Sequence, residues 1–167
     1  MIAAALAFGA AGFVMARCAG IEDMRRLGAS VAVAEAEIGL PDGSTSLIAQ
    51  VATWPADVFS LPGFARSDRR LTALLFDPRP LAAELGVAPK ALCGVEAIAT
   101  ARVLTALAAV AAGVAAIDAT PIDETEADAL REYCATARRG GFSGAASCHA
   151  HMTQLIQRFF CEDGPPS

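Results

Sequence analysis

Five short apolar segments recur along this chain, and longer segments with helical periodicity lie between and after them. The apolar segments are Gly12–Arg17, Leu47–Thr53, Leu71–Phe76, Gly113–Asp118 and Gly144–Cys148. They are continuously apolar rather than alternating, which is typical of strands in a parallel sheet that is covered on both faces. The pattern therefore predicts an α/β protein with a parallel sheet and helical crossovers.

Amphipathic helices are predicted between these strands and after the last one. Apolar residues recur every three or four positions in each helix, as expected when one helical face packs against a sheet. The four apolar stripes are Ile21, Met24, Leu27, Val31 and Ile38; Val103, Leu104, Leu107, Val110 and Ala111; Leu130, Tyr133, Cys134 and Ala137; and Met152, Leu155, Ile156, Phe159 and Phe160. Asp123 and Glu126 have the spacing of a capping box at the start of the third helix. Trp54 precedes a further helix and is expected to pack in the core.

The length of 167 residues leaves room for one domain, which we place at residues 1–161, with a frayed tail at residues 162–167. About five β/α units are too few for a closed eight-stranded barrel, which needs ~250 residues. The periodicity is compatible with part of such a barrel and also with a five-stranded open sheet.

Composition argues against several classes of function. The net charge is −5, and the thirteen Lys and Arg residues are scattered, so no basic surface for nucleic acid is predicted. The apolar segment at residues 1–15 lacks a preceding basic region and is shorter than the ~20 residues that span a bilayer. Five widely spaced cysteines without a CxxC pair indicate reduced thiols. We therefore expect a cytoplasmic protein that binds neither nucleic acid nor a membrane.

Five sequence segments resemble those of a known family when they are taken in order. They are GAAGFVMARCAGIEDM (Gly9 to Met24), IAQVAT (Ile48 to Thr53), LLFDPRPLAAELG (Leu74 to Gly86), AIDAT (Ala116 to Thr120) and GFSGAASCHA (Gly141 to Ala150). In order and spacing they are similar to segments of the citrate lyase β-subunit-like proteins of the HpcH/HpaI aldolase superfamily. The resemblance implies a partial TIM (β/α) barrel, roughly its second half. It also implies Mg²⁺-dependent cleavage of carbon–carbon bonds in acyl-CoA esters or 2-oxo acids.

The metal-binding acids of that family are replaced in this chain. The resemblance puts the family's metal-binding glutamate on Ala52, its aspartate on Pro80 and the acid before that aspartate on Arg79. Neither alanine nor proline can ligate Mg²⁺ through its side chain. We therefore expect no cofactor for this chain and an impaired lyase. The alternative is a non-enzymatic binding or interaction subunit built on the half-barrel.

Four residues at strand ends are candidates for substrate binding, namely Arg17, Asp77, Asp118 and His149. The resemblance matches Arg17 to a lysine of the family and retains Asp118 and His149, whereas Asp77 follows a strand, where barrel active sites lie. Alternatives remain open: Asp77 can lie in a solvated loop or, with a shifted alignment, replace a metal ligand. Asp118 can anchor the loop after its strand, and His149 can be a packed strand-end residue.

Metal binding by the cysteine and histidine cluster is a weaker hypothesis. Cys148, His149 and His151 lie close together in sequence, but a zinc site needs three or four converging ligands.

The family's first three strands and its C-terminal lid have no counterpart in the chain. We therefore expect a homo-oligomer, or a partner chain that completes the barrel, because an incomplete barrel has two open sheet edges.

Overall fold

The structure, a computed structural model, describes residues 1–66, 69–88, 95–119, 127–147 and 150–161. Within them, one parallel sheet contains β1 (Gly12–Met15), β2 (Ser46–Val51), β3 (Leu71–Phe76), β4 (Ala115–Asp118) and β5 (Gly144–Ala145). Each strand pairs with the next one along the chain, so the sheet order is β1-β2-β3-β4-β5. This sequential order is that of a TIM barrel, whereas doubly wound open sheets reverse their order at a switch point. The predicted partial barrel is confirmed.

Helices connect the strands and cover one face of the sheet. They are α1 (Ile2–Ala7), α2 (Ile21–Ile38), α3 (Pro55–Val58), α4 (Pro78–Glu84), α5 (Glu96–Ala112), α6 (Ala127–Arg139) and α7 (Ala150–Cys161), with a 3₁₀ helix at Leu61–Arg66. Gly39 and Gly113 end α2 and α5 in the left-handed conformation, which glycine adopts without steric cost. Gly113 is therefore the cap of α5. The predicted fourth strand began at this residue, whereas β4 begins at Ala115. The capping box predicted at Asp123 and Glu126 lies outside the described residues.

The two faces of the sheet differ in burial. The strand register places Ala49, Leu74 and Ala116 in one row, and Val51, Phe76 and Asp118 in another row of the same face. All six are buried, because this face packs against the helices. The opposite face carries Val14, Ile48, Leu75 and Ile117, which are half-buried or exposed. In a barrel, this second face points to the interior.

The amphipathic face of α5 is the reverse of the predicted one. Its buried residues are Ile98, Ala101, Thr105, Ala106, Ala108 and Ala109. The predicted stripe is exposed instead, from 38% at Leu104 to 71% at Val110. Alanine side chains allow the helix backbone to approach the sheet closely, and dense packing compensates for their small apolar area. The prediction was wrong because it gave the larger apolar residues more weight than the alanines.

Other predicted elements differ less from the structure. Leu130, Cys134, Met152 and Ile156 are buried together between α6 and α7, which confirms the predicted faces of these two helices. The core position predicted for Trp54 is wrong, because this side chain is 45% exposed.

No helix among the described residues is long and apolar enough to cross a membrane.

A buried ion pair stabilises the chain near the N-terminal ends of β2 and β3. The carboxylate of Glu35, on α2, accepts hydrogen bonds from the guanidinium of Arg70 at 2.8 Å and from the backbone N–H groups of Gly43 and Thr45 at 2.9 and 2.8 Å. Burial disfavours the charged form of Glu35, but these hydrogen bonds outweigh it and lower its pKa well below the usual value. Arg70 also pairs with Asp42. This network lies at the end of the sheet away from the candidate site.

Candidate functional site at the C-terminal strand ends

The C-terminal ends of β1, β2 and β3 meet at the side chain of Gln50. Gln50 lies in register with Leu75 on the half-buried face of the sheet. Its Oε1 accepts a hydrogen bond from the backbone N–H of Arg17 at 3.3 Å, and its Nε2 lies 3.5 Å from Oδ2 of Asp77. Two of the predicted candidates, Arg17 and Asp77, are therefore linked by one residue that the sequence analysis missed. The available signal was a polar side chain inside the otherwise apolar run of β2.

The backbone is strained at the ends of the first two strands. Arg17 and Ala52 have φ angles of 55° and 54°, and they are the non-glycine residues with positive φ in the described part of the chain. This conformation costs about 1–2 kcal/mol for a residue with a Cβ atom. At Arg17 it is held by two hydrogen bonds to Gln50, since the N–H of Cys18 also donates to the backbone oxygen of Gln50 at 2.9 Å. Strained residues of this kind cluster at functional sites. Both residues lie beyond the ends of their strands, since β1 and β2 each end two residues earlier than predicted.

Asp77 and Arg79 form a bidentate ion pair at the end of β3. Asp77 is the N-cap residue of α4 and accepts a hydrogen bond from the backbone N–H of Arg79 at 3.0 Å. Nε of Arg79 donates to Oδ1 at 2.9 Å, and Nη2 donates to Oδ2 at 2.7 Å. The Asp77 side chain is 9% exposed and the Arg79 side chain 60% exposed. The Asp77 carboxylate therefore lies inside, and the Arg79 side chain extends from it toward the surface.

Arg17 places a positive charge at this edge of the sheet. Its guanidinium carbon lies 5.5 Å from the ring centroid of Trp54, and both side chains are exposed. Such a contact is favourable by about 0.5–1 kcal/mol at an exposed position. None of the ion pairs between described residues involves Arg17. An exposed cation beside an indole ring is suited to contact with an anionic ligand.

Asp118 lies on the other face of the sheet from Gln50. It is fully buried, and its Oδ2 contacts Nε of Arg102 at 2.7 Å and Nη2 at 2.5 Å. The Arg102 guanidinium lies 4.7 Å from the ring centroid of Phe142, and the Tyr133 hydroxyl donates to the backbone oxygen of Asp118 at 3.2 Å. Burial and the charge of Asp118 raise the pKa of Tyr133, so this hydroxyl remains a donor. The geometry favours an anchoring role for Asp118, which ties α5 and α6 to β4.

The described residues at the C-terminal ends of β1, β2 and β3 do not fit a divalent metal ion. Ala52 is buried at the position matched to the glutamate ligand, and Pro80 occupies the position matched to the aspartate. Both oxygens of the nearby Asp77 carboxylate are bound by Arg79. Among the described residues, no three His, Cys, Asp or Glu side chains are grouped so that they could hold a metal. Mg²⁺ needs several oxygen ligands in near-octahedral geometry, and this set of side chains does not supply them.

The predicted cysteine and histidine cluster lies outside the described part of the chain: this holds for Cys148, for His149 and for the side chain of His151. The substrate-binding role of His149 stays a prediction, as do those of Arg17, Asp77 and Asp118.

Parallel strands in sequential order, with polar side chains at their C-terminal ends, define the chain as part of a (β/α) barrel. The sequence profile of the HpcH/HpaI aldolase/citrate lyase family matches residues 1–150. The chain therefore belongs to this family of aldolases and CoA-ester lyases. No curated protein sequence matches it.

Several solved structures share this fold. RipC from Yersinia pestis has a TM-score of 0.74 at 22% identity, over 94% of this chain and 65% of that one. A malate synthase from Haloferax volcanii, in a complex with pyruvate and acetyl-CoA, has a TM-score of 0.73 at 19% identity, over 93% and 42%. CitE from Mycobacterium tuberculosis, in complex with magnesium, acetoacetate and coenzyme A, has a TM-score of 0.65 at 16% identity, over 90% and 51%. This chain thus spans 42 to 65% of their lengths.

Proposed function

We propose that this chain is a divergent member of the carbon–carbon lyase family that lacks metal-dependent catalysis at its C-terminal strand ends. The observation that carries the proposal is the buried methyl group of Ala52 at the end of β2, where a carboxylate ligand is expected. A divalent ion stabilises the negative charge that develops during such cleavage by several kcal/mol. For comparison, the loss of one oxyanion donor lowers a rate by ~10²–10³. Lyase turnover is therefore expected to be negligible.

Metal titration and a turnover assay test this proposal together. Calorimetric titration with Mg²⁺ or Mn²⁺ should show no saturable binding in the micromolar range. The double variant Ala52→Glu/Pro80→Asp should recover metal binding before it recovers turnover, because it restores ligands without restoring substrate orientation. Release of acyl thioester should be measured with and without EDTA. EDTA-sensitive turnover by the unmodified chain would show that other residues hold the metal.

A second function, binding without catalysis, is favoured by the contact between Arg17 and Trp54. The exposed guanidinium lies at a strand end that is kept in a strained conformation, next to the hydrogen-bonded Gln50. An arginine in such a position suits a carboxylate or phosphate, because its fork of donors matches their geometry. The proposed ligand is a small acyl thioester or 2-oxo acid, bound through its anionic group.

The single tryptophan provides a direct assay of this binding function. Pyruvate, which is a 2-oxo acid, and acetyl-CoA, which is an acyl thioester, should be titrated separately in the presence of EDTA while Trp54 fluorescence is recorded. A saturable change is expected, and Arg17→Ala should abolish it. The matched control is Arg25→Ala, which removes another exposed arginine, on α2. Binding that is equally strong in the two variants would exclude Arg17 as the anion contact.

We also propose that the protein is cytoplasmic and that it self-associates. Free Cys18, Cys134 and Cys161 support a reducing compartment. The exposed apolar face of α5 supports association, since contiguous apolar surface of this kind is uncommon on soluble monomers. Light scattering of the purified chain tests the second point, and a sharp monomer peak at all concentrations would contradict it.

A further inference from the structure

We propose that Gln50 is a positioning residue for Arg17. Its side chain holds the backbone of Arg17 in the left-handed conformation, which places the exposed guanidinium beside the indole ring of Trp54. As far as it concerns a ligand, this inference rests on the anion-binding function proposed above. The position of the guanidinium can also be measured without any ligand.

The Gln50 side chain makes a contact that an apolar residue could not make. Its Oε1 accepts the hydrogen bond from the backbone N–H of Arg17 at 3.3 Å. The hydrogen bond from the N–H of Cys18, at 2.9 Å, goes to the backbone oxygen of Gln50 and would form with any residue there. An apolar side chain would suit the half-buried face that Gln50 shares with Ile48 and Leu75. The side-chain amide therefore serves Arg17 rather than the packing of the sheet.

Arg17 has a backbone conformation that a residue with a Cβ atom rarely adopts without support. Its φ angle is 55°, and in this conformation the guanidinium carbon lies 5.5 Å from the centroid of the Trp54 ring. The backbone dihedrals fix the direction in which the side chain leaves the chain. Without the hydrogen bond to Gln50 Oε1, a return of Arg17 to negative φ becomes easier. That change would turn the Arg17 side chain away from the ring.

Trp54 is held in place by a separate set of contacts. Oδ2 of Asp57 accepts hydrogen bonds from the backbone N–H of Trp54 at 3.0 Å and from the hydroxyl of Thr53 at 2.8 Å. Both Thr53 and Asp57 are buried. Neither of these hydrogen bonds involves Gln50. Replacement of Gln50 should therefore move the cation and leave the indole ring where it is.

A purely structural link between β2 and β3 is the competing explanation. Nε2 of Gln50 lies 3.5 Å from Oδ2 of Asp77, which is a long contact. Asp77 already accepts shorter hydrogen bonds from Arg79, at 2.7 to 3.1 Å. Both explanations predict some loss of stability when the amide is removed. Only the positioning role predicts that the Arg17 guanidinium also leaves the ring of Trp54.

Quenching of Trp54 fluorescence distinguishes the two explanations, because Trp54 is the single tryptophan. Iodide is an anion that accumulates near a positive charge, whereas acrylamide is neutral and reports accessibility alone. The ratio of their Stern–Volmer constants, measured at constant low ionic strength, should fall by about twofold in Arg17→Ala and by a similar factor in Gln50→Met. The double variant Arg17→Ala/Gln50→Met should show no further fall.

Thr72→Val is the matched control. It removes a hydrogen bond of 3.2 Å from the Thr72 hydroxyl to the backbone oxygen of Leu47, between the same two strands, and it should keep the wild-type ratio. A wild-type ratio in Gln50→Met, even with a lower thermal midpoint, supports the structural link and overturns the inference. A wild-type ratio in Arg17→Ala overturns it as well. If Gln50→Met loses its fold by circular dichroism, Gln50→Asn takes its place, because the shorter side chain withdraws the oxygen from Arg17.

The ligand arm uses pyruvate in EDTA with Trp54 fluorescence as the signal. Affinity should fall by roughly two- to tenfold in Gln50→Met, because an arginine that is no longer held in place must be ordered when the anion binds. Thr72→Val should bind pyruvate as the wild type does. Wild-type affinity in Gln50→Met overturns the inference. If the wild type binds neither pyruvate nor acetyl-CoA, the proposed binding function is wrong for these ligands, and the quenching ratio alone decides the role of Gln50.

Discussion

Replacement of Glu35 by alanine should remove a large part of the stability of this chain. The Glu35 carboxylate is fully buried and accepts hydrogen bonds from Arg70, from Ser44 Oγ and from the N–H groups of Gly43 and Thr45. Truncation would leave the Arg70 guanidinium, which is 6% exposed, without its most buried partner. It would also leave the buried Thr45 amide without its acceptor. Both effects act in the folded state, where water cannot easily replace the lost contacts.

The expected loss is about 3 kcal/mol. Removal of one partner from a buried ion pair costs about 3–5 kcal/mol, and the lower end applies because Arg70 keeps its ion pair with Asp42. Domains of ordinary stability unfold with about 5–15 kcal/mol, so this loss is a substantial fraction. At about 2–4 °C per kcal/mol, the midpoint of thermal unfolding should fall by about 6–12 °C.

The effect of this replacement should depend on pH in a defined direction. The folded state lowers the pKa of Glu35, so its stabilising contribution is complete above the unfolded value of about 4.3. It is lost as the pH falls from there through the lower folded-state pKa. The difference between the wild type and Glu35→Ala should therefore be largest near neutral pH and should narrow below about pH 4.

Urea unfolding at pH 7 and at lower pH is the measurement. Glu37→Ala is the matched control, because Glu37 lies on the same helix but is exposed. The paired replacement Glu35→Gln/Arg70→Met should cost less than the two single changes together, because no buried charge is left without a partner. If Glu35→Ala and Glu37→Ala differ by less than about 0.5 kcal/mol, the network is not the stabilising feature inferred here.

Three further predictions concern residues elsewhere in the fold. Burial raises the pKa of Cys18 to about 11, so iodoacetamide at pH 8 should modify the exposed Cys161 well before Cys18, which peptide mass spectrometry can quantify. Leu107→Glu should reduce self-association in light scattering without lowering the thermal midpoint, because Leu107 is 61% exposed; unchanged association would exclude this face. Asp118→Ala should lower the free energy of unfolding in urea by about 2–3 kcal/mol, because it removes the ion pair with Arg102; a smaller loss than in Glu37→Ala would contradict the anchoring role.

The parallel sheet could be predicted from sequence because its strands are continuously apolar. Runs such as Leu71–Phe76 are buried by helices on one face and half-covered on the other, so they show no alternation. The periodicity of apolar residues could not distinguish a partial barrel from an open sheet, because the two differ in which strands pair. Those pairings join residues far apart in sequence, as Ala73 and Ala115 do. The resemblance to a barrel family supplied what the pattern could not.

The position of the candidate site could be predicted from the sequence, but the contacts between its residues could not. Asp77 could be placed at a strand end from sequence, because it directly follows an apolar run. The pairing of Asp77 with Arg79 depends on the conformation of the chain at the start of α4. Gln50, which contacts Asp77, lies 27 residues earlier in the sequence. The same holds for Arg102, which meets Asp118 across 16 residues, from a helix whose orientation was predicted wrongly. Long-range polar contacts of this kind follow from the packing and leave no periodic signal in the sequence.

The two strained residues, Arg17 and Ala52, lie at the C-terminal ends of the first two strands. Ala52 keeps a left-handed backbone at a position where its side chain can bind no metal. Glycine would adopt that conformation without strain, whereas alanine pays about 1–2 kcal/mol for it. The surrounding structure must hold Ala52 in this conformation, because its methyl group binds no ligand. At Arg17 the same strain aims an exposed cation beside Trp54. The ends of β1 and β2 thus present an exposed cation and a buried methyl group, so an anion that binds at this edge would meet Arg17 and Trp54 and no carboxylate at position 52.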